Sequence, residues 1–131
     1  MVVRLNLLEL PKEEKDDIFG DSLPDTYFCD IEVEVTEGFP HPEKAENPIL
    51  TVSIVTPKNQ VIVLGLGDLT AVQQRRIQDN TNKYFKEFGH KWTFKYIQFK
   101  SEYDLVYTFL DKFVKKFPMM TGWNFIRFDW T

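Results

Sequence analysis

The stretch Tyr27-Phe28-Cys29-Asp30-Ile31-Glu32-Val33-Glu34-Val35 decides the fold class, because apolar and polar residues alternate along it with the period of a β-strand. Successive strand side chains point to opposite faces and rise ~3.3 Å per residue, so Asp30 and Glu32 share one face within roughly 7 Å. Two carboxylates so placed can share divalent cations. The same alternation is what a plain half-buried strand shows, so the pair gains chemical meaning only from what other segments bring to it.

Around this strand lies a chain of 131 residues, 43% hydrophobic and 15% aromatic, which is enough apolar material for one domain with a core. The net charge of −4 argues against a free-standing basic nucleic-acid binder. An acidic chain can still meet phosphate through divalent metals, which supply positive charge where carboxylates gather. The single cysteine, Cys29, excludes an internal disulfide, so a reducing compartment is expected and Cys29 reads as a small buried apolar residue. The apolar run at the N-terminus is interrupted by Arg4, Asn6 and Glu9 and lacks a small-residue cleavage site, unlike a signal peptide. No stretch approaches the ~20 apolar residues of a membrane span, so no membrane partner is expected.

Residues 1–26 read as a leader or edge strand, broken by Pro11 and the charged run from Lys12 to Asp17. After the strand at 27–35, Pro40, Pro42 and Pro48 mark a loop. Residues 49–56 and 60–66 are β-branched runs separated by Pro57-Lys58-Asn59, which suits a hairpin and completes a three-stranded antiparallel meander. Gly65-Leu66-Gly67 ends the last of these strands. Thr70 with Gln73 forms a capping-box pattern for a helix toward Phe88, stopped by Gly89 and open to a break at Asn80-Thr81-Asn82. Trp92, Phe94 and Tyr96 alternate in a strand running to Phe99.

Ser101 caps a helix to Phe117 with an apolar stripe of Leu105, Val106, Phe109, Leu110, Phe113 and Phe117. Asp104, Thr108, Asp111 and Lys115 fall opposite, and Pro118 ends the helix. A short buried strand is expected over 119–124. The order of elements indicates an α/β domain with a mixed sheet.

A second candidate site is Asn124-Phe125-Ile126-Arg127-Phe128-Asp129. If the last strand lies parallel beside the first, their carboxyl ends fall together, where open α/β sheets place ligands. Otherwise Asp129 merely caps or begins a terminal helix. His41 and His90 have no partner at metal-ligand spacing and read as solvated. Trp92, Trp123 and Trp130 read as core residues rather than stacking platforms, and Lys112, Lys115 and Lys116 as a solvated helix face.

Phe28-Cys29-Asp30-Ile31-Glu32 resembles the first exonuclease motif of family B DNA polymerases, and Thr121-Gly122-Trp123-Asn124-Phe125-Ile126-Arg127-Phe128-Asp129 resembles the second. Phe39-Pro40-His41-Pro42-Glu43-Lys44-Ala45 is similar to the loop after the first motif in phage polymerases of the T4 type. The resemblance covers roughly residues 27–131. It implies a ribonuclease-H-like mixed sheet and metal-dependent 3′ to 5′ proofreading, with water attacking the terminal phosphodiester of single-stranded DNA. By the family pattern Asp30 would bridge two Mg²⁺ or Mn²⁺ ions, Glu32 would bind the nucleophile-side ion and Asp129 the other. Asn124 and Phe128 would contact the terminal nucleotide, with Phe28 and Phe128 packing beneath the site. The implied partners are a single-stranded DNA 3′ end and the rest of a polymerase chain, in a bacterial or phage-infected cytosol.

The family's third motif, a tyrosine and an aspartate four residues apart, should follow the second. Here Tyr107 and Asp111 have that spacing but precede it, and Asp111 falls on the polar helix face, so they read as a decoy. These 131 residues therefore resemble a partial exonuclease domain, incomplete at its C-terminal side. Alone they are expected to be weak or inactive and to leave a sheet face uncovered, with pairing between copies a consequence. The alternatives are a non-catalytic ribonuclease-H-like binding module, which would retain the acids incidentally, and a purely structural polymerase subdomain.

Overall fold

The structure, a computed structural model, describes residues 24–35, 38, 44 and 46–122. Strands β1 (Thr26–Val33), β2 (Ile49–Val55) and β3 (Gln60–Gly65) pair antiparallel in sequence order, as the alternating and β-branched runs predict. The β2–β3 hairpin closes through the Thr56 N–H to Gln60 C=O hydrogen bond at 2.9 Å, with Asn59 in the left-handed region at φ 56°. Asparagine tolerates that conformation better than most residues, which makes it a suitable last residue for a three-residue loop.

Two parallel strands flank this meander. β4 (Thr93–Gln98) lies outside β3 and β5 (Met119–Thr121) outside β1, giving the order β4-β3-β2-β1-β5. The sheet is thus mixed, with helices between its strands, consistent with a ribonuclease-H-like fold. Aligned residues of neighbouring strands share a face, so the register separates the sheet's two sides. Cys29, Val52, Ile54 and Leu64 are buried on one side, where Leu105 and Phe109 cover them, and Ile31, Ile62 and Ile97 pack around that cluster. Phe28, Asp30 and Glu32 are on the other side and exposed. The buried Cys29 agrees with its reading as a small apolar residue.

Helix α1 (Ala71–Tyr84) starts on the expected capping box, with Thr70 and Gln73 satisfying each other's backbone N–H groups. It runs unbroken through Asn80-Thr81-Asn82, which settles the open question of a break there, and gives way after Tyr84 to a single 3-10 turn before Gly89. Two of these three weak helix formers, Thr81 and Asn82, make side-chain hydrogen bonds. Thr81 Oγ1 donates to the Ile77 carbonyl at 2.9 Å. Asn82 takes both backbone groups of Trp92, donating to its carbonyl at 2.9 Å and accepting from its N–H at 2.7 Å. With Gln78 accepting from the Phe94 N–H at 3.1 Å, α1 seals part of the outer edge of β4.

The second helix departs further from expectation. Ser101 caps α2 (Glu102–Thr108) by accepting from the Asp104 N–H at 3.2 Å, but the helix does not continue regularly to Phe117. A π-helical turn occupies Phe109–Phe113 and a 3-10 turn Val114–Lys116. The wider turn underwinds the chain, bringing Val114 onto the core beside Phe113 and Phe117, whereas Leu110 at the margin of the stripe is left exposed. Phe117 stacks on Tyr27 of β1 with ring centroids 3.9 Å apart. β5 is shorter and less enclosed than expected, with Met119 exposed and Met120 and Thr121 half-buried.

Candidate active site

The acids of β1 stand just past the stretch of that strand, Thr26–Phe28, that pairs with β5. β1 has β2 on one side and β5 on the other, and cross-strand register sets Asp30 opposite Ser53 and Glu32 opposite Thr51. On this open face the rows continue outward as Asp30-Ser53-Val63-Tyr96 and Glu32-Thr51-Gly65-Gln98. The strand's alternation therefore delivers both carboxylates to solvent on one face while Cys29 and Ile31 anchor the strand from behind. Immediately after Glu32 the pairing slips, with Leu50 the extra residue on β2. Such bulges bend a strand and re-aim the side chains beside it.

Among the described residues neither Asp30 nor Glu32 is held in an ion pair. Both carboxylates are exposed, with no ion-pair partner among the described residues, as suits hard divalent cations. No three metal-ligating side chains gather among the described residues. Asp129, Asn124 and Phe128 lie outside the described residues, as do Trp123, Trp130 and His41. The described chain ends at Gly122, just past Thr121, which is level with Phe28 in the parallel β1–β5 pair.

Phe28 does not pack beneath the site. It shares the face of Asp30 and Glu32 and is 54% exposed, because residues two apart on a strand point the same way. Glu34 lies beyond β1 and is exposed, with its backbone bonded to Pro48 and Asn47. His90 is exposed, as expected, while Trp92 is half-buried against Phe85.

The Tyr107–Asp111 spacing is a decoy in space as well as in order. α2 and the π turn pack on the Cys29 side of the sheet, whereas Asp30 and Glu32 are on the other. Asp111 is held by Lys115 at 2.7 Å and Lys112 at 2.9 Å, and these hydrogen bonds lower its pKa to about 2.

A family model for the exonuclease domain of family B DNA polymerases matches residues 6–131. The chain belongs to that family. No curated protein matches its sequence significantly. Exonuclease domains of this family are generally dependent on divalent metal, act on DNA and form part of a polymerase.

One constellation of this exonuclease domain was not singled out by sequence pattern. Tyr96 leans over Gly65 and donates its hydroxyl to the Gly67 carbonyl at 2.5 Å. Gln98 beside it hydrogen-bonds Asp68. Burial, and then the negative charge of Asp68, raise the Tyr96 pKa. A Cβ at Gly65 would collide with the Tyr96 ring, so a glycine inside a strand pattern was the available signal of close approach.

Proposed function

We propose that this chain supplies 3′ to 5′ proofreading, hydrolysing the 3′-terminal phosphodiester of single-stranded DNA within a family B DNA polymerase. The observation that carries this reading is the pair Asp30 and Glu32, both exposed on the open face of β1, in a chain of this family. The donor chemistry fits Mg²⁺ or Mn²⁺, which prefer carboxylate oxygens and keep water positions open. Asp30, Glu32 and Asp129 are the residues that would hold such ions.

Bound there, the ions supply Lewis acidity, making water more acidic and offsetting the charge that develops on the departing 3′ oxygen. The chain's own contribution is orientation. β1 is fixed from behind by Cys29 and Ile31, which holds the spacing of the two carboxylates. Parallel pairing sends β5 along β1 in the direction of Asp30 and Glu32, which supports Asp129 as the third acid. Asn124 and Phe128 position the terminal nucleotide. The segment Phe39 to Ala45 favours an enzyme of the phage type. Since Asp111 is taken by two lysines on the far side of the sheet, it supplies no fourth carboxylate. Hydrolysis by these 131 residues alone is expected to be slow.

The test is release of the 3′-terminal nucleotide from a 5′-labelled single-stranded oligonucleotide, with protein in excess and Mn²⁺ present. Asp30→Ala and Glu32→Ala should each lower the rate by about 100-fold, at or beyond the cost of losing an outer-shell partner. Equal rates for wild type and both variants would exclude these carboxylates as the catalytic set.

A further inference from the structure

One segment of this acidic chain is strongly net positive. Residues 71–95 hold Arg75, Arg76, Lys83, Lys86, Lys91 and Lys95 against Asp79 and Glu87, a net +4. The chain total of 16 basic and 20 acidic residues leaves 10 against 18 elsewhere, a net −8. All six cations are exposed, and none makes an ion pair among the described residues.

Aromatic side chains stand among them. Tyr84 is 81% and Phe88 67% exposed. Phe85 ties this group to the domain, its ring lying 5.9 Å from that of Phe88 and 5.8 Å from that of Trp92. On α1 the inward side is set by Gln78 and Asn82, bonded to Phe94 and Trp92. Residues seven apart nearly superimpose along a helix, so Arg76 and Lys83 form one outward row, with Ile77 and Tyr84 in the adjacent row.

We propose that the outer surface of α1 and the turn before β4 bind single-stranded nucleic acid at a place separate from Asp30 and Glu32. Unpaired cations match a phosphate backbone, and exposed rings beside them offer stacking platforms to unpaired bases. An acidic protein partner would use the cations, and rings are common at protein interfaces too, but a single strand supplies both the phosphates and the flat bases in every nucleotide. β4 lies three strands from β1, about 14 Å across the sheet, so the surface is distinct from the acids. It stands whether or not those acids hydrolyse DNA.

The test is fluorescence anisotropy of a labelled oligothymidylate with the whole chain in EDTA, where metal-dependent contacts at the acids are removed. Binding should weaken as salt rises, by a log–log slope of about −0.7 for each phosphate neutralised. Arg76→Glu with Lys83→Glu should weaken it at least tenfold, and Lys83→Gln alone by less. Tyr84→Ala and Phe88→Ala should each weaken it at least fivefold with the circular dichroism unchanged. Absence of binding at low salt, unchanged affinity in the charge-reversed variant, or unchanged affinity in both aromatic variants would each overturn the proposal. So would competition by polyglutamate as effective as by unlabelled oligothymidylate, which would assign the surface to an acidic protein.

Discussion

Tyr27, Cys29 and Ile31 on one face of β1 point toward the helical layer of α2 and the π turn, whereas Phe28, Asp30 and Glu32 on the other face meet solvent. A single strand thus divides its residues between two tasks by parity. One set anchors the sheet and the other is available for chemistry. Substitutions should separate the two: those on the covered face cost stability, and those on the open face cost ligand binding without stability.

The largest expected effect lies on the covered face. Ile54 is fully buried opposite Cys29, and Ile54→Ala should destabilise the domain by about 2–5 kcal/mol, measured by urea unfolding. Gly65→Ala would blur the comparison, because this open-face position is covered by Tyr96. Overpacking there should cost about 1–3 kcal/mol in the same assay, and Tyr96→Ala should relieve much of it. Thr70→Ala removes the cap of α1 and should cost about 1 kcal/mol.

Asp30→Ala on the open face should change stability by less than about 0.5 kcal/mol, since the side chain is exposed and unpaired among the described residues. The smallest effect belongs to Asp111. Its pKa is lowered to about 2, so whatever stability its lysine contacts add is complete above the ordinary carboxylate pKa and disappears as pH falls through about 4 to 2. Because the pair is solvent-screened, Asp111→Asn should flatten only this acid limb of the stability profile and leave the neutral value nearly unchanged.

Local chemistry made much of the fold readable from sequence. Alternation at 27–35, the Pro57-Lys58-Asn59 turn, and the caps at Thr70 and Ser101 each act through near neighbours, and each appears close to where it was expected. What could not be read depends on distant partners. α1 survives Asn80-Thr81-Asn82 because Asn82 finds the backbone of Trp92 ten residues on. The π turn at Phe109–Phe113 brings Val114 to the sheet, a change of phase that a regular helical stripe does not reveal. The placement of β4 outside β3 follows from the crossover through α1 rather than from its own residues.

For the site, sequence alternation put Asp30 and Glu32 on a common face but left open which face would be covered. The packing of Leu105 and Phe109 against Cys29 resolves that. Phe28 departs from expectation for a related reason: its hydrophobicity suggests packing, while its parity with Asp30 puts it at the surface.

The most direct test of the account is Mn²⁺ binding, followed by loss of the free-ion electron paramagnetic resonance signal, in wild type, Asp30→Ala and Glu32→Ala with matched urea curves. The expected result is binding by the wild type, its loss in both variants, and coincident unfolding transitions. Undiminished Mn²⁺ binding by both variants would contradict the assignment of the open face of β1 as the metal-holding face.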